Sequence, residues 1–217
     1  MQLSGRNNLD ILRNDILDAM DVVLGKKQCS VDEDFLDLMR KFNSRRKTFR
    51  MPSFVKRETT PFTYEHNKRA SLLFSGGRIS LATALWLKEM GKDVELVYIE
   101  DENKKQVESL MSELGLPWVT LASKRYDNEF SAMLLLQDTL EHAVESHHSP
   151  VLYIGCFDNA AMSNNVKKDW RYCQEFINTY DTLVKKYVDG AKVLCLFPDY
   201  RVVNDELLKH PEYQYIQ

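Results

Sequence analysis

The sequence predicts a doubly wound α/β fold: a parallel five-stranded sheet with helices on both faces, preceded by a helical N-terminal extension. Three observations support this prediction. From residue 67 onward, short apolar segments typical of buried strands alternate with longer amphipathic segments typical of helices. A Ser-Gly-Gly turn joins the first of these strands to the helix that follows it. Before residue 67, apolar residues recur at helical spacing.

The predicted strands are five apolar runs, and the predicted helices lie between them. The strands cover residues 71–74, 94–99, 118–121, 151–154 and 192–197, and the helices cover residues 79–90, 103–115, 130–147 and 169–188. Because strands joined through a helix run parallel with right-handed crossovers, both faces of the sheet should be covered. A ligand binds such a sheet beyond the carboxyl ends of its strands, where the strand order reverses. The loops after Phe74, Ile99 and Ile154 are therefore the expected binding loops.

The extension is assigned to residues 1–66 and the α/β domain to residues 67–217. Five apolar residues at helical spacing predict a first helix that ends at Gly25: Leu9, Leu12, Ile16, Met20 and Val23. A second helix is predicted to begin at Ser30, because Ser30 and Glu33 have the spacing of a capping box. The apolar faces of these helices need a partner surface. That surface is either the α/β domain or a second copy of the chain, so a homodimer is one of two alternatives.

A basic segment closes the extension. From Arg40 to Arg57 the chain has eight basic residues and no acidic ones, with Phe42, Phe49 and Phe54 interleaved. Basic side chains can grip a phosphate backbone while aromatic rings stack on bases, so RNA or another single-stranded nucleic acid is one candidate partner. The alternative is a solvated connector that its aromatic residues anchor to the core.

Composition limits the remaining classes. The formal net charge of −3 gives the whole chain no strong attraction to nucleic acid or to anionic membranes. No apolar run approaches the roughly 20 residues of a membrane span, so we expect a cytoplasmic protein with no membrane partner. The four cysteines are scattered singly, which predicts reduced thiols and no zinc site. His142, His147 and His148 are interpreted as cations near a helix C-terminus, and no metal site is assigned to them.

The most informative segment is the turn after the first strand of the sheet. Gly76 and Gly77 allow a tight turn, and the next helix begins with backbone N–H groups that lack acceptors within the helix. Ser75 and Ser80 add hydroxyl groups, and Arg78 adds a cation. This combination favours a phosphate as ligand. The alternative is an ordinary strand-to-helix turn that uses glycine for its geometry alone.

The turn resembles the Ser-Gly-Gly-x-Asp-Ser loop of the PP-loop ATP pyrophosphatases, which are adenine-nucleotide α-hydrolases with a Rossmann-like fold. Ser75, Gly76, Gly77 and Ser80 match this loop, whereas Ile79 stands at its acidic position. The resemblance implies binding of ATP with Mg²⁺ and release of pyrophosphate as a substrate is adenylated. It also implies catalytic roles for Arg78 and Ser80.

Acidic residues follow the second strand of the sheet. Glu100 and Asp101 could accept hydrogen bonds from a ribose or hold Mg²⁺, but carboxylates at this position also cap helices well. The resemblance implies that this strand end lies beside the adenosine, and therefore that both residues contact the nucleotide.

Within the PP-loop group, the segment after the fourth strand is most similar to the 7-cyano-7-deazaguanine synthases of queuosine biosynthesis. Gly155 and Asp158 correspond to the glycine and polar loop of that branch, and Asp169 and Arg171 to an Asp-x-Arg segment that binds the substrate. The cysteine cluster that binds zinc in that branch has no counterpart in this chain. The resemblance implies a deazapurine or another small acceptor. A nucleotide-binding or interaction protein without catalysis is the alternative function.

Overall fold

The central sheet has five parallel strands, which lie side by side in the order 118–121, 94–99, 70–73, 151–154 and 192–195. A computed structural model of the protein describes residues 2–23, 29–35, 53–122, 131–155, 174–196 and 200–213. The strands of the sheet are β3 (Ala70–Leu73), β4 (Val94–Ile99), β5 (Trp118–Leu121), β6 (Val151–Ile154) and β7 (Lys192–Cys195). Every neighbouring pair is parallel, which confirms the predicted sheet. Strand β3 is central. Strands β4 and β5 follow on one side of it, and β6 and β7 lie on the other side.

Helices cover both faces of the sheet. They are α2 (Arg78–Glu89), α3 (Lys104–Leu114), α4 (Ser131–Glu145) and α5 (Gln174–Lys185). Side chains of a strand point alternately to its two faces, and the cores divide accordingly. Leu72 and Leu96 lie in a core with α2 and α3. Leu152 and Val193 lie in a second core with α4 and α5. The fold is therefore doubly wound, as predicted.

The described part of the chain ends with two elements that the sequence analysis did not assign. Helix α6 (Tyr200–Leu208) contributes Val203 and Leu207 to the core on the α2 face, and a 3₁₀ helix (Pro211–Tyr213) follows it. Only short apolar stretches mark α6 in the sequence. A pattern this short is hard to distinguish from a loop.

The first helix, α1 (Gln2–Val23), packs against α4 of the same chain. Leu12 and Ile16 are fully buried in the core that α4 and α5 share. The Arg13 side chain donates to both carboxylate oxygens of Glu141, at 2.8 and 2.7 Å, and also to Asp138. Of the two alternatives for this apolar face, the structure shows packing on the α/β domain. Because the apolar face of α1 is covered by the same chain, this face gives no support to a homodimer.

The predicted second helix does not begin at Ser30. Residues Ser30–Asp32 form strand β1, which pairs in parallel with β2 (Ser53–Val55). Helical conformation begins only at residue 33, where the Asp32 carboxylate accepts a hydrogen bond from the Asp34 amide at 3.1 Å. The capping residue is thus Asp32, and the Ser30 hydroxyl instead lies 2.7 Å from that of Ser53.

Most of the basic segment lies outside the described residues. At the end of this segment, Arg57 donates to the buried Asp15 carboxylate of α1 at 2.6 Å. This ion pair joins two parts of the extension. Burial raises the pKa of Asp15, against the opposing effect of Arg57. The nucleic-acid interface between Arg40 and Arg57 stays a prediction. No helix in the described part of the chain combines the length and apolarity that crossing a membrane requires.

Candidate functional site

The strand order reverses between β3 and β6, and the Ser-Gly-Gly turn lies at this point. Helix α2 leaves the end of β3 toward β4, whereas β6 pairs with the other edge of β3. Loops that diverge in this way leave a crevice beyond the carboxyl ends of the strands. The turn at residues 75–77 and Gly155 after β6 both border it.

Gly76 requires glycine for two independent reasons. Its φ of +75° lies in the left-handed region, which side chains other than glycine rarely adopt. A Cβ placed on Gly76 would also lie 2.7 Å from Cγ2 of Val107 on α3. The turn is therefore shaped by its own backbone and by the packing of α3 against it.

Gly77 is the N-cap of α2, with φ −79° and ψ 166°, and no side chain caps the helix. The first amide that donates back along the helix belongs to Leu81, whose acceptor is the Gly77 carbonyl at 3.0 Å. Helix geometry leaves the three preceding amides, at residues 78–80, without acceptors inside the helix. A Cβ on Gly77 would meet nothing closer than the Ser75 hydroxyl, at 3.4 Å. The backbone here is open to a ligand.

Two serine hydroxyls hold the turn closed. Oγ of Ser80 donates to the Gly77 carbonyl at 2.9 Å and lies 3.2 Å from Oγ of Ser75. The Ser75 hydroxyl accepts from the Gly77 amide at 3.3 Å, and Ser80 Oγ accepts from the Ser75 amide at the same distance. Ser80 is buried whereas Ser75 is exposed. The two predicted hydroxyls do converge, and the bond from Ser80 to the Gly77 carbonyl shapes the turn.

Arg78 lies in the first turn of α2, and its guanidinium donates to the side-chain oxygen of Asn204 on α6 at 3.1 Å. The sequence did not indicate this partner, because the two residues are 126 positions apart.

Gly155, just after β6, lies against the start of α2. A Cβ on Gly155 would lie 2.7 Å from Cγ2 of Ile79 and 3.1 Å from the Ser80 backbone nitrogen. The missing side chain therefore makes room for the start of α2. Ile79 is partly buried and packs on the α2 core, so the residue at the acidic position of the resembled loop has a packing function.

The acidic residues after β4 are held by local bonds. One oxygen of Asp101 accepts from the Tyr98 hydroxyl at 2.5 Å and from the Asn103 amide at 2.7 Å, just before α3 begins. Burial, with Asp101 as the next contribution, raises the pKa of Tyr98 to about 12. Glu100 pairs with Lys104 at 3.1 Å. The N-cap residue of α3 is Asn103, which makes no side-chain cap bond, so neither Glu100 nor Asp101 has the capping role that was one of the two alternatives from sequence. Both carboxylates remain accessible enough to contact a ligand.

A cavity of about 820 Å³ opens between the turn and α3. Ser75, Gly76 and Gly77 line it on one side, and Gln106 and Glu113 are among the α3 residues on the other. Its position is shifted from the β3–β6 crevice toward β4. The α3 lining was not predicted from the sequence, although the exposed polar face of that helix was a recognisable signal.

The structure brings five of the predicted residues to one place: Ser75, Gly76, Gly77, Ser80 and Gly155. Arg78 adjoins them, and Glu100 and Asp101 lie at the end of the neighbouring strand. Asp158, Asp169 and Arg171 lie outside the described residues, so their assignment to a substrate stays a prediction.

Comparison with protein-family models and with curated proteins found no match. Among solved structures, the chain is similar to a predicted tRNA methyltransferase subunit from Methanocaldococcus jannaschii, with 16% identity and a TM-score of 0.41 over 64% of this chain and 73% of that one. A Serratia marcescens short-chain dehydrogenase/reductase double mutant matches with 13% identity and a TM-score of 0.39, over 65% of this chain and 63% of that one. The chain thus spans less than two thirds of that reductase. Likenesses this distant carry no argument about what the chain binds.

Proposed function

We propose that the chain binds an adenine nucleotide, with the phosphates at the turn of residues 75–80. The observation that carries this proposal is the open N-terminus of α2 at the point where the strand order reverses. Three amides without helical acceptors, the positive end of the helix dipole and the Ser75 hydroxyl meet there. The adjoining cavity of about 820 Å³ lies within the roughly 300–1,000 Å³ range of small-molecule sites.

The remaining parts of the nucleotide are assigned along β4. The hydroxyls of a ribose beyond the end of this strand would donate hydrogen bonds to Glu100 or Asp101. The same carboxylates fit Mg²⁺, because each has two oxygens, of which Asp101 uses one in its local bonds. When bound, Mg²⁺ would neutralise phosphate charge.

The reaction that we propose is ATP pyrophosphatase chemistry, as the resemblance of the turn implies. An oxygen of a small acceptor would attack the α-phosphorus of ATP, the bond from that phosphorus to the α,β-bridging oxygen would break, and pyrophosphate would leave. The amides of the turn and Arg78 would stabilise the negative charge of the departing group. Ser80 would act by positioning the turn, because its hydroxyl is committed to Gly77. A deazapurine acceptor near Asp158, Asp169 and Arg171 belongs to the same proposal.

A second candidate is nucleotide binding without turnover, and the packing of Ile79 favours it. This side chain fills the space beneath Gly155 at a position that is acidic in the resembled loop. A site so arranged keeps the backbone amides for phosphate but lacks that carboxylate.

Binding is tested by calorimetric titration of ATP with Mg²⁺ into the native chain, Gly77→Asp and Gly77→Ala. Aspartate is a favourable N-cap residue, so Gly77→Asp should fold while placing a negative charge where the phosphates bind. We expect at least a tenfold loss of affinity, worth about 1.4 kcal/mol. Gly77→Ala should lose less, because its Cβ carries no charge and would meet no atom closer than the Ser75 hydroxyl, at 3.4 Å. Equal affinity for all three proteins would refute the phosphate site.

Turnover is tested separately, by measuring pyrophosphate release from ATP with candidate acceptors. Release that Gly77→Asp reduces supports the pyrophosphatase. Saturable ATP binding without release supports the second candidate.

A further inference from the structure

Three ionisable side chains converge at the edge of the sheet opposite the turn. Glu95 is near the start of β4, whereas His142 is in the last turn of α4 and His148 follows that helix. Nε2 of His142 lies 2.6 Å from Oε2 of Glu95, and Nδ1 of His148 lies 3.6 Å from the same oxygen. The three potential ligand atoms all lie within 4.8 Å of one another.

The chain reversal after α4 produces this convergence. His147 has a φ of 54°, and the His148 amide donates back to the Ala143 carbonyl at 2.8 Å. The Tyr64 hydroxyl donates to the His148 carbonyl at 2.6 Å and fixes it further. Spacing along a continuous helix does not bring residues 142 and 148 together, so these histidines were not predicted to share a site.

His148 is the unusual member. Its side chain is 7% exposed, and its buried Nδ1 has no hydrogen-bond partner within the described residues. A buried polar atom without a partner costs free energy, so the position calls for a ligand. Histidine ring nitrogens are the commonest metal ligands in proteins.

We propose that Glu95, His142 and His148 form a binding site for a divalent transition metal ion, with Zn²⁺ as the probe that identifies it. Two imidazole nitrogens and one carboxylate oxygen suit Zn²⁺, whereas Mg²⁺ and Ca²⁺ prefer oxygen ligands alone. Tetrahedral bonds of about 2.0–2.2 Å place ligand atoms about 3.3–3.6 Å apart. The spacing of 3.6 Å between His148 and Glu95 fits that range, whereas the spacing of 2.6 Å between His142 and Glu95 lies below it, so a bound ion would require these two side chains to move apart.

The surrounding charges are balanced. Arg69 faces the cluster from before β3 and opposes a cation, but its Nε donates to Asp93 at 2.8 Å. The Ser146 hydroxyl lies 3.5 Å from Nδ1 of His142, where it can orient the ring. The ion would join β4 to the end of α4. Because the three ligand side chains are only 7–15% exposed, the site would stabilise the fold and would leave little access for a substrate.

The experiment uses the full chain, stripped with a chelator and kept reduced. Zn²⁺ is titrated by calorimetry, and Co²⁺ is added in parallel to record its visible spectrum. The variants are Glu95→Gln and His142→Asn. His147→Asn is the matched control, because asparagine tolerates the left-handed conformation and this exposed imidazole lies next to the cluster. His210→Asn tests a second group of possible ligands, Glu89, Glu206 and His210.

We expect one Zn²⁺ per chain and a Co²⁺ spectrum without thiolate charge-transfer absorption. Glu95→Gln and His142→Asn should each weaken Zn²⁺ binding by more than about 100-fold, the upper end of what loss of an outer-shell partner costs. His147→Asn and His210→Asn should leave the affinity within about threefold. Circular dichroism of the metal-free variants checks that each is folded. No Zn²⁺ binding by the native chain, or binding that only His210→Asn or thiol blocking weakens, would overturn the proposal.

Discussion

Replacement of Gly76 by alanine tests how the candidate turn is held in shape. Two costs are expected. The left-handed backbone at φ +75° disfavours alanine by about 1–2 kcal/mol. The new Cβ would also lie 2.7 Å from Cγ2 of the buried Val107, and overpacking of this kind costs about 1–3 kcal/mol. The free energy of unfolding should therefore fall by about 2–5 kcal/mol.

Gly91 separates the two costs. Its φ is +63°, and a Cβ there would meet no atom within 4 Å. Gly91→Ala should thus show the backbone cost alone, about 1–2 kcal/mol. The excess loss in Gly76→Ala measures the contact with Val107. Val107→Ala in the same chain should relieve that contact, so the double variant should be more stable than the sum of the single effects by about 1–3 kcal/mol.

Urea unfolding followed by circular dichroism gives these free energies, and the slope with urea checks that each variant unfolds in one transition. If Gly76→Ala and Gly91→Ala lose the same stability, or if the Gly76 and Val107 effects are additive within about 0.5 kcal/mol, the contact does not shape the turn.

Two further predictions concern the fold around the site. Arg13→Ala should lower the free energy of unfolding, measured in urea, by about 1.5–3 kcal/mol, because it leaves Glu141 and Asp138 without their shared donor. The control Lys104→Ala breaks a surface ion pair and should lower it by less than about 1 kcal/mol. Equal losses in the two variants would show that Arg13 does not anchor α1. Stability should also fall as the pH rises above 10, because the pKa of Tyr98 is raised from 10.0 to about 12 by burial and by Asp101, so the unfolded chain loses this proton first. Tyr98→Phe should make the decline between pH 10 and 12 shallower by up to about 1.4 kcal/mol per pH unit, and an unchanged slope would contradict this assignment.

The strands of the sheet were predictable because each is a short apolar run between turn residues, and the predicted strands 94–99, 118–121 and 151–154 match the structure.

The error at Ser30 has a physical origin. Ser-x-x-Glu satisfies the capping-box pattern locally, but Asp32 is buried and accepts from Lys186 at 2.7 Å, a contact between residues 154 positions apart. A local pattern contains no information on such a partner.

The same limit applied to the candidate site. Its glycines and serines were recognisable, because a turn encodes its geometry in adjacent residues. The contact of Gly76 with Val107 and the bond of Arg78 to Asn204 were not, because each depends on how separate helices pack. The close approach of Gly155 to Ile79 likewise depends on how α2 packs against the end of β6.

The two proposed sites lie at opposite ends of strand β4. Glu95 lies near its start and Glu100 just beyond its end, about 16 Å apart for five residues of extended chain. At that distance the effects of changes at the two sites should add without coupling, and ordinary salt screens the interaction of the charges. Glu95→Gln should therefore leave the affinity for ATP unchanged, and Gly77→Asp should leave the affinity for Zn²⁺ unchanged. Because the nucleotide site depends on the amides of α2 and the metal site on the chain reversal after α4, failure of either proposal would leave the argument for the other intact.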